Sequence, residues 1–184
     1  YLKMLDPGKN YFLKSDINSF QKWSDQLDDY SQSGFISPGS EIFNIFKYRY
    51  LTRLNKNISL LEDQSSIFNL DTNQTISYDI ESKDWMSSTQ EANEYWERRL
   101  TDLLIRQLLN DEDENLEDAK EVLIKRFKNQ LRLINQRDSQ DIFQIYVNAF
   151  ASLLDPHTSY FSPRTNENFQ INMSLSLEGI GAEL

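Results

Sequence analysis

Residues 40–61 read SEIFNIFKYRYLTRLNKNISLL, and this stretch decides the fold class of the chain. Its large apolar residues recur every three or four positions, which places them on one side of a helix of about six turns. Neither Gly nor Pro interrupts the stretch. We therefore expect one long amphipathic helix that begins near Ser40. Its buried stripe is expected to consist of Phe43, Phe46, Tyr50, Leu54, Ile58 and Leu61.

The same helical spacing recurs in three later stretches of the chain. Ser88 and Glu91 form a capping box ahead of one helix, and the acidic run 110–115 separates that helix from the next. A last helix begins at residue 138 or 139 and ends before Pro156, because proline cannot continue a helix. With five glycines and four prolines in 184 residues, breakers are few and a mainly α fold is expected.

The stretches on either side of residues 40–61 are expected to be shorter or less regular. Ser15 is expected to cap a helix, and residues 31–39 are expected to form a loop. Residues 65–85 are expected to form a loop that contains one short hairpin. The hairpin is suggested by Ile76, Tyr78 and Ile80, which alternate with other residues as in a strand, and by Asp71-Thr72-Asn73, which could form its turn.

Towards the C-terminus the apolar period changes from helical to alternating, as in a half-buried strand. Gly179, Ile180 and Gly181 follow this stretch. Two glycines let successive backbone N–H groups point one way, which forms a nest for an anion such as a peptide carboxylate. A strand followed by such a loop is how a PDZ domain begins its peptide groove, and an ordinary glycine turn is the alternative. The alternating residues are Ile171, Met173, Leu175 and Leu177.

Composition excludes several classes of function. The formal net charge of −10 argues against nucleic-acid binding, which needs a basic surface. No run of 18 apolar residues is present, so we expect no transmembrane segment, and the N-terminus lacks the pattern of a signal peptide. The chain has no cysteine and one histidine, which excludes disulfides and thiolate chemistry and leaves one imidazole. No metal or other cofactor is expected.

His157 is the single histidine, and Asp155 and Ser159 each lie two residues from it. A catalytic triad needs side chains that converge from separated segments, which three residues of one turn rarely do. We therefore expect Asp155 to cap this turn and His157 to donate a hydrogen bond, rather than catalysis.

Three other motifs have simple structural interpretations. Ser19 and Lys22 have the Ser-x-x-Lys spacing of some acyl enzymes, but Phe20 between them belongs to the apolar stripe of an ordinary helix. The acidic run 111–114 lacks the glycine and ligand spacing of a calcium loop. Basic residues between 125 and 137 complement the dipole of their helix, although they could also dock an acidic partner.

One pattern occurs twice in the chain at a constant offset. Each copy predicts the end of a helix at a proline, then two aromatic residues packed under the turn, and then the start of a new element. We interpret the similarity as shared turn mechanics rather than duplication, because nothing else between the copies repeats. The copies are Leu5-Asp6-Pro7 with Tyr11-Phe12 and Phe20, and Leu154-Asp155-Pro156 with Tyr160-Phe161 and Phe169.

Two ends of the chain resemble a known family. The stretches are 1–13 (YLKMLDPGKNYFL), 15–17 (SDI), 155–160 (DPHTSY), 168–169 (NF) and 173–182 (MSLSLEGIGA). Together they are similar to the tail-specific, C-terminal processing serine peptidases, in the region that ends with the start of the PDZ domain. On this resemblance residues 1–168 form the N-terminal helical domain, and residues 169–184 begin the PDZ domain.

The resemblance implies a function for the complete protein. Family members act in the periplasm, where the PDZ domain captures the apolar C-terminus of an unfolded or tagged substrate protein. A serine and lysine dyad cleaves the substrate, with the neutral lysine as general base. Helical regions shape the substrate chamber and meet a lipoprotein adaptor, which is therefore an implied partner.

Within this chain the resemblance assigns roles to few residues. The dyad of the family lies beyond Leu184, so no catalytic residue is expected here and the chain alone is expected to be inactive. Gly179, Ile180 and Gly181 match the carboxylate-binding loop of the PDZ domain. The alternative is a free-standing helical module for protein interactions.

Overall fold

The computed structural model describes residues 1–24, 37–77, 79–110 and 115–174. Within these residues the chain is mainly helical, with seven α-helices and no strand. The chain divides into two compact units, one of Leu2–Arg137 and the other of Asp138–Leu184 together with Tyr1. The expected mainly α fold class is therefore confirmed for the described part of the chain.

The larger unit contains five of these helices and one short 3₁₀ turn, Gln21–Trp23, which continues the second helix. The helices are α1 (Leu2–Leu5), α2 (Lys14–Phe20), α3 (Ser37–Glu62), α4 (Thr89–Asn110) and α5 (Leu116–Gln136).

Helix α3 is the predicted long helix, and it forms the centre of the larger unit with α4 and α5. Its apolar stripe packs against Leu100 and Leu104 of α4 and against Leu123 of α5. The helix begins at Ser37, so Pro38 lies in its first turn rather than in the expected loop. Proline is suited to that position because the first amides of a helix have no intrahelical partner.

The start of α4 follows the predicted capping box with one difference. The Ser88 hydroxyl accepts a hydrogen bond from the Glu91 amide at 3.1 Å. The Glu91 carboxylate, however, accepts from the amide and hydroxyl of Ser87, at 2.7 and 2.6 Å, rather than from Ser88. These hydrogen bonds lower the pKa of Glu91.

The expected serine cap of α2 is wrong. The helix begins at Lys14, and Leu13 occupies the position before it. The Asp16 carboxylate reaches back and accepts from the Leu13 amide at 2.9 Å, which satisfies that backbone donor without Ser15. Leu27 and Tyr30, which continue the helical spacing of apolar residues in the sequence, lie outside the described residues.

The hairpin expected within residues 65–85 is also wrong in the described residues. Thr72 and Asp79 accept hydrogen bonds from backbone amides two residues ahead, so each stabilises a local turn instead of a strand pair. Among the described residues, the one β-bridge in this part of the chain joins Leu13 to Met86 in parallel. It brings the segment before α4 onto the start of α2.

The smaller unit contains α6 (Ser139–Leu154) and α7 (Pro163–Ser174). Asp138 caps α6 by accepting from the amides of Gln140 and Asp141, both at 2.9 Å, and the helix ends before Pro156 as predicted.

The strand expected at the C-terminus is not present where the structure describes the chain. Ile171 and Met173 lie in helix α7, while Leu175 and Leu177 lie outside the described residues. The Ser162 hydroxyl accepts from the Thr165 amide, and the Ser162 carbonyl accepts from the Asn166 amide. A capped helix start therefore overrides a short alternating pattern.

Candidate functional site

The proposed carboxylate-binding loop cannot be compared with the structure. Gly179, Ile180 and Gly181 lie outside the described residues, and so does the acidic run 111–114. The carboxylate-binding role of the loop and the solvated character of the acidic run stay predictions.

The turn that contains His157 has the capping geometry expected from its sequence. The Asp155 carboxylate accepts from the His157 amide at 3.0 Å and from the Thr158 hydroxyl at 2.7 Å. These hydrogen bonds lower the pKa of Asp155. The carboxylate therefore holds the backbone and the threonine of the turn, and the His157 side chain is exposed. This arrangement is that of a helix-ending turn, not of a nucleophile with its base.

Ser19 and Lys22 do not form a reactive pair. The Ser19 hydroxyl donates to the Asp16 carbonyl at 2.6 Å. The Lys22 ammonium bonds to Glu41 at 2.8 Å and lies 4.2 Å from the ring centroid of Trp23. The hydroxyl and the ammonium are directed at other partners, so the two side chains lack the geometry of a nucleophile and its base.

Two of the basic residues between positions 125 and 137 form ion pairs within the larger unit. Lys125 bonds to Glu121 at 3.4 Å, and Lys128 bonds to Glu62 of α3 at 2.8 Å. Exposed pairs of this kind contribute little to stability, but they neutralise the charge of the surface. The contacts therefore give no particular support to an acidic partner on this surface.

One polar cluster was missed by the sequence analysis. The Lys83 ammonium donates to the Gly8 carbonyl at 2.9 Å and to the Asn10 side-chain oxygen at 2.6 Å. It lies 4.1 Å from the ring centroid of Tyr95, and burial lowers the pKa of Lys83 to about 8. No sequence signal links these residues, because Lys83 is 75 positions from Gly8.

A polar cleft adjoins this cluster, between the segment before α4 and α4 itself. Hydroxyl groups, two cationic side chains and the Asp79 carboxylate line it, so its charges are of both signs. The Lys83 ammonium already donates to Gly8 and Asn10, so it holds the turn that contains these two residues. We call this arrangement the Lys83 clamp. The lining includes Thr75, Ser77, Ser82, Lys83 and Arg98.

The described residues contain neither a metal-binding cluster nor a membrane-spanning helix. Over residues 1–24, 37–77, 79–110 and 115–174, no group of three or more His, Asp or Glu side chains is placed to hold a metal ion. The helices in the described part of the chain are all too short or too polar to cross a membrane.

Comparison with known families gives one match over most of the chain. The family model described as the tail specific protease N-terminal domain matches residues 1–164. This chain belongs to the tail-specific protease family. The family resemblance inferred from the two ends of the sequence is therefore confirmed, and residues 1–164 match the N-terminal domain of that family.

A relative in the tail-specific protease family supports the same assignment. The tail-specific protease of Haemophilus influenzae is 36% identical over 185 residues, which is all of this chain and 26% of the relative. The chain thus spans about a quarter of the length of that relative. The boundary predicted between residues 168 and 169 falls inside α7 and stays a prediction.

Proposed function

We propose that the chain is the N-terminal, non-catalytic part of a periplasmic serine endopeptidase that recognises its protein substrates by an apolar C-terminus. The observation that supports this most strongly is the 36% identity to a tail-specific protease along the whole chain. The complete enzyme would use a serine and lysine dyad, which lies in the remainder of the polypeptide.

The helical part would shape the substrate chamber and position the PDZ domain, and it would present a surface to a lipoprotein adaptor. This role fits the packing of α3, α4 and α5 around a continuous apolar core, since a rigid scaffold is needed to hold a chamber open. Gly179, Ile180 and Gly181 would bind the substrate carboxylate through their backbone amides.

The chain itself would not cleave peptide bonds. Among the described residues, the motifs that resemble a nucleophile and base have their polar atoms directed elsewhere: Ser19 bonds to a carbonyl, Lys22 to a carboxylate, and Asp155 to its own turn.

The first test is the reading frame of the native gene past Leu184, checked by the intact mass of the native protein. The purified native protein is then given one unfolded protein in two forms, with an apolar or a charged C-terminus. We expect faster cleavage of the apolar form, and no cleavage of either by the 184-residue chain. A reading frame that ends near Leu184 would replace the proposal with a free-standing interaction module.

The carboxylate-binding role is tested by Gly181→Glu in the native protein. The introduced negative charge would repel a C-terminal carboxylate, and we expect binding of an apolar C-terminal peptide to weaken about tenfold or more. Gln140→Glu, on the exposed start of α6, adds the same charge at a distance in sequence and serves as the matched control. Equal binding by both variants would contradict the assignment.

A further inference from the structure

The two copies of the repeated pattern form the same backbone turn. In the first copy the Lys9 amide donates to the Asp6 carbonyl, and in the second the Thr158 amide donates to the Asp155 carbonyl, both at 3.1 Å. Helices α2 and α7 begin at equivalent positions after these turns. The hydrogen bonds therefore show that both copies form one type of turn, while the interpretation against duplication stays a prediction.

The equivalent aromatic rings also make the same contact. The ring centroids of Phe12 and Phe20 are 5.6 Å apart, and those of Phe161 and Phe169 are 5.3 Å apart. Each turn thus holds a pair of phenylalanines, one before and one within the helix that follows.

The two copies differ in what covers these apolar side chains. In the first copy Phe46 of α3 and Trp85 lie against Phe12, with ring centroids 5.6 and 5.8 Å away. The exposed fractions are 8%, 0% and 7% for Leu5, Phe12 and Phe20, against 90%, 39% and 46% for Leu154, Phe161 and Phe169.

Helix α7 has a capped start and an ion pair from Arg164 to Asp141, but it buries little apolar surface in the described structure. It has 12 residues, and none of its described side chains is buried. Helices of this length are marginal in water unless an apolar face is packed. Phe169 and Met173 are four residues apart, so they share one face of α7, and both are exposed.

We propose that Leu154, Phe161, Phe169 and Met173 form a docking surface for a helix with an aromatic side chain from the part of the same polypeptide that follows Leu184. The arrangement would match the first copy, where α3 supplies Phe46. This inference rests on the proposed function, because it requires a polypeptide that continues as a protease.

Two observations favour the remainder of the polypeptide as the occupant. The chain accounts for 26% of the length of the Haemophilus relative, so a protein of that size has ample further chain. The matched family domain ends at residue 164, between Phe161 and Phe169, so the surface straddles the limit of the domain.

The chemistry of the surface indicates an apolar occupant. The four residues of the surface are apolar, and the charged residues between positions 154 and 173 are of both signs, namely Asp155, Arg164 and Glu167, so neither a basic nor an acidic partner is favoured there. Burial of large apolar side chains would supply the affinity instead.

The experiment uses the full-length native protein with Phe169→p-benzoylphenylalanine, which crosslinks to neighbouring C–H bonds on illumination. We expect a product of monomer mass whose linked peptides join position 169 to residues after Leu184. Tyr48→p-benzoylphenylalanine, at a 65% exposed aromatic position of α3, is the matched control and should give no such peptides. A crosslinked dimer, a crosslink to added unfolded protein, or no crosslink would each overturn the proposal.

A second measurement keeps the test independent of the photochemistry. In Phe169→Ser we expect the α7 amides of the full-length protein to exchange hydrogen at least about tenfold faster than in the unmodified protein, because the docked face is lost. Unchanged exchange would overturn the docking. Cleavage of the apolar-tailed substrate, measured in parallel, reports on the proposed function separately, since docking can fail while cleavage persists.

Discussion

The Asp6 turn and the Asp155 turn have the same local plan but different surroundings. The Asp6 carboxylate is buried and accepts from the three amides of residues 10–12 at 2.8 to 3.0 Å. The exposed Asp155 carboxylate accepts from one amide and one hydroxyl. A short sequence can therefore specify a turn, while its environment sets how strongly the turn is held.

The hydrogen bonds that hold the two turns also come from residues at different distances along the sequence. In the first turn, Trp96 of α4 donates to the Asn10 carbonyl at 3.0 Å, far along the sequence. In the second, Asn148 bonds to both backbone groups of Tyr160, at 3.0 and 2.6 Å, from the helix that ends in the turn. Long-range contacts hold the first turn, and local contacts hold the second.

The largest effect that would test this comparison is expected from the aromatic pair. Phe12→Ala should lower the free energy of unfolding by about 3–5 kcal/mol, because it opens a cavity under Phe46. Phe161→Ala in the same 184-residue chain should cost about 1 kcal/mol or less, since the ring is already partly in water. Urea denaturation measures both, and equal losses would break the comparison.

A smaller difference is expected from the two carboxylates. Asp6→Ala should lower the free energy of unfolding by roughly 3 kcal/mol, because it leaves buried amides of residues 10–12 without an acceptor. Asp155→Ala should cost less, since water can replace the lost hydrogen bonds of an exposed turn. Thermal and urea unfolding of the paired variants would show the order, and a larger loss at Asp155 would contradict it.

The smallest expected effect is the change with pH of the free energy of unfolding that is due to the Lys83 clamp. Burial lowers the pKa of Lys83 from 10.5 to about 8. Between these values the unfolded chain binds more protons than the folded chain, so this group makes stability rise with pH. Because Lys83 is only partly buried, the rise should be on the order of 1 kcal/mol.

Lys83→Met removes this titrating group and is the variant that isolates the effect. Its free energy of unfolding, measured by urea denaturation across the same pH range, should lack the rise seen in the unmodified protein. Parallel pH profiles for the two proteins would show that Lys83 is not held in the first turn as described.

Much of the helical framework was predictable because its signals are local. The stripe of α3 predicted its buried face, and Asp138 and Pro156 marked the two ends of α6 correctly. Where two local signals competed, prediction failed. At residues 171–173 a period of two indicated a strand, but the capped start of α7 upstream carried the helix through them.

The candidate site was less predictable for a different reason. The sequence correctly predicted that Asp155 caps the turn at His157, because a capping aspartate two residues away is a local feature. The Lys83 clamp on Gly8 and Asn10 could not be predicted from the sequence. It joins residues more than 70 positions apart, and such contacts produce no spacing or motif in the sequence.

By itself the sequence determined the long helices α3 to α6, the two equivalent turns and the protein family. These depend on spacing, capping residues and motifs, which act over a few residues. Only the tertiary structure decided that the apolar side chains of the first turn are buried while those of the second are exposed. Burial depends on which distant element packs against a side chain, and Phe46 does so for Phe12 through contacts that neither copy of the motif encodes.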